Sequence, residues 1–278
     1  MSTKCITPFY VKDKMTGENI PVPCSKCPPC KKRRTSGWSF RLVKEGERSK
    51  TALFVTLTYD TNYVPITNNG FMNLHKPDVQ KFMKRLRKLS NEKLKYYLCG
   101  EYGSKRMRPH YHLIIFNANP EMIEKAWALD NRPLGSIYIG EVNEASIGYT
   151  LKYMTKKGKI PLHYKDDRQK EFSLMSKGLG QNYLTPQMIK WHKKDLEKRM
   201  YCNIKDNKKI AMPRYYKDKI YSKFDKFMIS NYVKLLAEEQ ENKLYDELGE
   251  NYYKITVERH IKQFETMHKN AELNRDKI

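Results

Sequence analysis

The sequence predicts an α+β fold in which an antiparallel sheet carries its helices on one side. Two observations predict it. Four short runs are rich in β-branched and aromatic residues, and three stretches between and after them repeat their apolar residues at helical spacing. With 278 residues and 39% hydrophobic content, the chain can bury the core of one large or two modest domains.

"TALFVTLTYD" (51–60) reads as a strand, with alternation in its second half. "KPDVQKFMKRLRKL" (76–89) spaces Val79, Phe82, Met83, Leu86 and Leu89 along one helical face and places Pro77 near its start, where a helix tolerates proline. "LKYYLCGEY" (94–102) and "RPHYHLIIFN" (108–117) are strand-like runs joined by the polar turn "GSKRM", which predicts a hairpin. "NPEMIEKAWALD" (119–130) opens with Asn-Pro in cap and first-turn positions, so a helix follows. "GSIYIGEV" (135–142) is a strand and "NEASIGYTLKYMTKK" (143–157) a helix. The order β-α-β-β-α-β-α is the split βαβ, ferredoxin-like plan with one extra helix.

On either side of this core the text changes. Residues 1–45 form a Cys-rich N-terminal segment, rich in Pro and Lys and without a clear period over its first 35 residues, so an irregular module is expected there. Residues 46–160 are the core. Residues 161–222 form a region packing on the core, in which "SLMSKGLGQNYLTP" is loop-like and 186–202 helical. Residues 223–278 are polar, charged and free of Pro, and predict a helical C-terminal extension.

Fifty-four Lys and Arg stand against 31 Asp and Glu, a net charge of +23 spread along the whole chain. An excess this large repels itself in the folded state, so a polyanionic partner is expected, and nucleic acid is the commonest one. No run of 18 apolar residues and no apolar signal core are present, which predicts a cytosolic protein without a membrane partner.

Three groups of residues carry chemistry. His110 and His112 are two apart in a strand, so both imidazoles leave the same face while Tyr111 points the other way. The hairpin folds Glu101 back beside them. Two imidazole nitrogens and one carboxylate oxygen suit Mg²⁺, Mn²⁺ or Zn²⁺ and leave coordination positions open for substrate. On the last core helix Tyr149 and Tyr153 lie four apart on one face with Lys152 beside them. A tyrosine hydroxyl can attack a phosphate that a metal polarises while a lysine offsets developing charge. In "CSKCPPC", Cys24, Cys27 and Cys30 recur every third residue, and Cys5 supplies a fourth thiol. This cluster reads either as a closed tetrahedral Zn²⁺ site or as free thiols. The "KKRR" that follows would sit on its rim and contact phosphates.

"FVTLTYD", "CGEYG", "RPHYHLIIF" and "YTLKYMTKK", in this order and spacing over 51–157, resemble the motifs of the HUH endonuclease superfamily. Specifically, they resemble the rolling-circle replication initiators of gokushovirus-type microviruses. "PCSKCPPCKKRR", "EFSLMSKGLG" and "MPRYY" also look like that phage group, whereas the last 50 or so residues match nothing useful. The resemblance implies an HUH core in which His110, His112 and Glu101 bind Mg²⁺ or Mn²⁺. Tyr149 or Tyr153 would attack the scissile phosphate at the origin, leaving a 5′-phosphotyrosine and a free 3′-OH. The other tyrosine would act when the displaced strand is cut and closed, with Lys152 positioning or neutralising the phosphate.

The implied partners are single-stranded DNA and the origin of the phage replicative form, with host helicase and host DNA polymerase, in the cytoplasm of the bacterial host. The sequence has no GxxxxGK[ST] phosphate loop of its own, so unwinding would come from the host. Arg106, Arg108, Lys156 and Lys157 are the expected DNA-backbone contacts, with bases stacking on nearby rings. Two other readings stay open: a plasmid initiator, relaxase or transposase of the same chemistry, and a non-catalytic basic RRM-like module. The RNP pattern of aromatics that an RRM needs is missing.

Overall fold

The computed structural model describes residues 5–12, 17–130, 132–155 and 160–276, and of residues 153–155, 205 and 270–276 the backbone alone. The chain divides into two compact units, Trp38–Tyr183 and Met1–Gly37 with Leu184–Ile278.

The unit Trp38–Tyr183 contains, in chain order, the second half of α1 (Pro28–Gly46), β1 (Ala52–Thr58), α2 (Lys76–Leu89), β2 (Lys95–Tyr102), β3 (Pro109–Phe116), α3 (Pro120–Ala126), β4 (Ile137–Glu141), α4 (Glu144–Thr155) and β5 (Phe172–Met175). The five strands form one sheet in the order β4-β1-β3-β2-β5, every neighbouring pair antiparallel. Since β1 and β2 both oppose β3, they run parallel to each other with β3 between them.

Strand alternation divides the side chains between two faces. Val55, Leu57, Leu98, Tyr111, Leu113 and Ile115 enter the main core, where they meet α2 and α3 through Val79, Phe82, Met83, Leu86, Ile123 and Trp127. The α2 residues recur at i, i+3, i+4 and i+7 and are all buried. Each contributes about 1.5–3 kcal/mol of apolar burial. The sequence places helices on one side only; the structure places them on both. At one end of the opposite face, Leu42 of α1 and Ile147 and Leu151 of α4 close over Tyr97, Ile114 and Phe116. The other end of that face holds Glu101, His110 and His112.

Local signals set the element ends. Asn119 caps α3, its Oδ1 accepting from the Met122 N–H at 2.9 Å. The helix stops at Ala126, short of the expected residue 130, because Ala128–Leu129 turns back to pair with Arg132–Pro133. Asn143 and Ser146 cap the start of α4 reciprocally, each side-chain oxygen accepting from the other's backbone N–H at 2.8 Å. "FSLM", within the stretch expected to be loop, is β5, which extends the sheet through its pairing with β2.

In the other unit, Phe9–Lys12 pairs with Asn19–Val22, and the first half of α1 begins at Pro28 where an irregular module is expected. Here too lie α5 (Pro186–Lys193), a ribbon of Tyr201–Asn203 with Lys209–Ala211, α6 (Arg214–Ile220), α7 (Lys223–Leu248) and α8 (Tyr252–Asp276). The helix expected over 186–202 therefore ends early and its last residues form a strand. α7 opens with a capping box between Ser222 and Asp225. Among the described residues no helix is long and apolar enough to cross a membrane.

Candidate active site

The ladder between β2 and β3 sets Glu101 opposite His110 and Cys99 opposite His112. On the other side of β3, Thr58 faces His110 and Thr56 faces His112. All six side chains leave the sheet on the face away from the main core. Glu101 Oε1 lies 2.8 Å from His110 Nε2 and 3.1 Å from His112 Nε2. These three ligand atoms all lie within 4.8 Å of one another.

Each imidazole is oriented from its other nitrogen. His110 Nδ1 lies 3.1 Å from the Arg108 carbonyl oxygen, which only accepts, so Nδ1 carries the hydrogen. The Nε2 of the neutral ring then presents a lone pair to a carboxylate oxygen, two acceptors face to face. A cation between them resolves that conflict, and the donor set of two Nε2 atoms and one carboxylate is that of divalent-metal sites. His112 Nδ1 meets Thr56 Oγ1 at 3.0 Å. Side-chain exposure falls from 19% at His110 to 5% at His112, so the site opens on the His110 side.

The electrostatics favour the ligating protonation states. Burial pushes the Glu101 carboxyl up, but the hydrogen bonds and charges of the two imidazoles outweigh it and hold the group below its ordinary value. Burial pushes His112 below its ordinary value against the opposing pull of Glu101, which keeps the ring neutral.

Tyr149, half-buried on α4, packs its ring edge-to-face on His112 at 5.0 Å between centroids and on Phe54 at 6.1 Å. Below it, the Cys99 thiol donates to the Thr150 carbonyl at 3.6 Å and pins α4 to the sheet. Lys152 lies three residues on from Tyr149 and is also half-buried. The backbone of Tyr153 belongs to α4; its side chain lies outside the described residues, as do Lys156 and Lys157.

Beside the metal ligands opens a cleft of about 890 Å³, lined by Thr58, Tyr59, Asp60, Thr61, Asn62, Tyr63, Arg106, Arg108, Arg132, Pro133, Gly135 and Ser136. Thr58 is the ladder partner of His110, so the cleft starts next to the ligands. Arg108 is anchored by its guanidinium on the Tyr59 carbonyl at 2.6 Å. Two residues here escape the sequence reading. Thr56 is the partner of His112 and is legible from the period of "FVTLTYD"; Arg132 lies in the short ribbon after α3, where no pattern marks it. Apart from this face, Cys5, Cys24, Cys27 and Cys30 converge in the other unit.

Four of the five strands, the His pair and α4 fall within residues 52–158, which match the family model described as replication-associated protein ORF2. The chain is 29% identical over 236 residues to replication-associated protein ORF2 of Spiroplasma virus 4, a match that covers 78% of this chain and 72% of that protein. It is 28% identical over 232 residues to replication-associated protein VP4 of Bdellovibrio phage phiMH2K, covering 75% and 71%. To replication-associated protein ORF4 of Chlamydia phage 1 it is 25% identical over 224 residues, covering 72% and 53%. No solved structure matches. The class is that of the phage replication-associated proteins. Within it, the chain belongs to the replication-associated protein ORF2 family, in its Microviridae type.

Proposed function

We propose that the protein is a rolling-circle replication initiator that nicks and rejoins one DNA strand at the phage origin through a tyrosine, on an HUH core of the split βαβ plan spanning residues 46–160. One observation carries the proposal: a single carboxylate oxygen of Glu101 reaches both imidazoles, and the ring of Tyr149 packs directly on the second of them. The strand order β4-β1-β3-β2, with β1 and β2 parallel across β3, supports that plan.

Glu101, His110 and His112 would hold Mg²⁺ or Mn²⁺. When bound, the cation supplies Lewis-acid polarisation of a phosphoryl oxygen and offsets charge gathering on the phosphate. The chain does the rest. The Arg106, Arg108 and Arg132 guanidinium groups hold the backbone of single-stranded DNA in the cleft beside the ligands. The hydroxyl of Tyr149 or Tyr153 loses its proton and forms a P–O bond while the bond to the 3′ oxygen breaks, and that oxygen leaves as a 3′-OH. Lys152 faces the developing charge from the same helix. One phosphodiester replaces another, so the reverse step reseals DNA without a nucleotide cofactor. Host helicase and polymerase would extend the free 3′ end.

The test is a denaturing gel with labelled single-stranded origin DNA and Mn²⁺. Wild type should give a covalent band that disappears in His110→Ala with His112→Ala, and in Tyr149→Phe with Tyr153→Phe. A band that survives the double tyrosine change sinks the nucleophile assignment. No band from wild type on DNA it binds favours the RRM-like binding module.

A further inference from the structure

We infer that Cys5, Cys24, Cys27 and Cys30 form a closed, structural Zn²⁺ site that staples the N-terminal hairpin to the start of α1 and supplies the negative charge that this helix end lacks. The inference is independent of the nicking chemistry.

The first argument is geometric. The four Sγ atoms all lie within 4.8 Å of one another, and Cys5 Sγ is 3.8 Å from Cys27 Sγ. A tetrahedral Zn–S bond of about 2.3 Å places sulfurs about 3.8 Å apart. All four thiols are free, and 3.8 Å is far beyond the roughly 2 Å of a disulfide bond. The sulfurs also accept backbone N–H groups in the manner of thiolates: Cys24 Sγ accepts from Cys27 at 3.3 Å and Lys26 at 3.4 Å, and Cys5 Sγ accepts from Cys24 at 3.3 Å. Ser25, at φ 61, makes the left-handed turn that brings those N–H groups round.

The second argument is mechanical. Cys5 precedes Phe9–Lys12 and Cys24 follows Asn19–Val22, so the pair closes the base of the hairpin. That hairpin is nearly all exposed, with Phe9, Tyr10, Val11 and Ile20 in solvent. A two-stranded ribbon with so little burial does not hold its shape unaided, and four small thiols make a core too slight to hold it.

The third argument is electrostatic. α1 has no acidic residue in its first turn, and Lys31, Lys32, Arg33 and Arg34 follow its opening prolines and Cys30. Cations there oppose the helix dipole. A Zn²⁺ held by four thiolates carries a net charge of −2, and Cys27 and Cys30 place it at this helix end. The metal therefore turns an unfavourable helix start into a favourable one and keeps the four cations together.

The test uses the full chain. Elemental analysis of wild type, and of His110→Ala with His112→Ala to empty the other metal site, should give one zinc per chain in both. Alkylation mapped by peptide mass spectrometry should leave Cys5, Cys24, Cys27 and Cys30 protected in the native protein and modified after chelation. Cys99 and Cys202, buried elsewhere, are the internal control. Equal modification of the four with and without Zn²⁺, or loss of the zinc in the double His variant, overturns the inference. Stoichiometric iron in place of zinc overturns it as well. Cys27→Ser should lose zinc, and the alkylation pattern decides the question if that variant does not fold.

Discussion

Glu101 and His110 stand opposite each other in the β2–β3 ladder, and the carboxylate oxygen of one meets the Nε2 of the other at 2.8 Å. The same oxygen reaches His112 at 3.1 Å, so one carboxylate joins both imidazoles. Sheet register alone achieves this. A slip by one residue would send Glu101 into the main core, among Leu98, Leu113 and Tyr111.

The orientation of His112 depends on Thr56. Thr56→Val keeps the shape and the strand preference but removes the hydroxyl that meets His112 Nδ1 at 3.0 Å. Partners of this kind are worth roughly 10–100-fold in metal affinity or activity. Calorimetric titration with Mn²⁺ should show a loss in that range with thermal stability nearly unchanged. Unaltered affinity would mean that the hydroxyl does not set the ring.

Two glycines should respond in opposite directions to the same methyl. At Gly135 a Cβ would lie 2.1 Å from Thr58 O, 2.5 Å from Asp60 N and 2.6 Å from the Tyr59 carbonyl carbon. These are backbone atoms that cannot swing aside. Gly135→Ala should therefore destabilise by at least the 1–3 kcal/mol of ordinary overpacking. At Gly148, inside α4, nothing lies within 4 Å of an added Cβ. Gly148→Ala should stabilise by about 0.5–1 kcal/mol through helix propensity. Urea unfolding of both variants checks the pair, and a stable Gly135→Ala would show that the close approach is not required.

Asp166 and Arg168 form a buried bidentate pair, with bonds of 2.8 and 2.9 Å and side-chain exposures of 0% and 4%. The Arg168 hydrogen bonds hold the Asp166 carboxyl well below the usual carboxylate range. A folded pKa below the unfolded one adds stability that is present above the unfolded value of about 3.9 and lost as pH falls below it. Wild type should therefore lose stability on acidification below about pH 4. Asp166→Asn should flatten that fall. Asp166→Ala should cost about 3–5 kcal/mol at neutral pH, because it strands the guanidinium over the Phe71 and Tyr102 rings. An unchanged acid limb in the Asn variant would rule the pair out as its source.

How much of this the sequence shows depends on where the controlling contact lies. β1, α2, β2, β3 and β4 are legible because each carries its own period, and the convergence of Glu101 with the His pair follows from period two plus a hairpin. β5 is not legible. Its four residues are all half-buried and its strand character comes from pairing with β2, far away in sequence. The start of α1 is hidden for a different reason: prolines, cysteines and four cations are poor helix signals, and the buried Phe40 and Leu42 come only in its second half. Arg132 is invisible because a two-residue ribbon, not a periodic element, carries it to the cleft.

That cleft yields the last prediction. Arg106, Arg108 and Arg132 reach one concavity from two separate loops, next to the ladder pair of Thr58 and His110. Arg108 differs from the other two, since its guanidinium already bonds the Tyr59 carbonyl and it is half-buried. Arg106 and Arg132 are exposed and answer to solvent and phosphate. If each neutralises one phosphate of single-stranded DNA, replacing it by Ala should lower the slope of log K against log salt by about 0.7. The weakening should be similar for any sequence, because phosphate contacts carry no base information. Arg108→Ala should do more, because losing the anchor also loosens the turn after β1. Fluorescence anisotropy with an origin and a scrambled oligonucleotide, over a salt series, separates the cases. Slopes unchanged in Arg106→Ala and Arg132→Ala would place the DNA elsewhere on the protein.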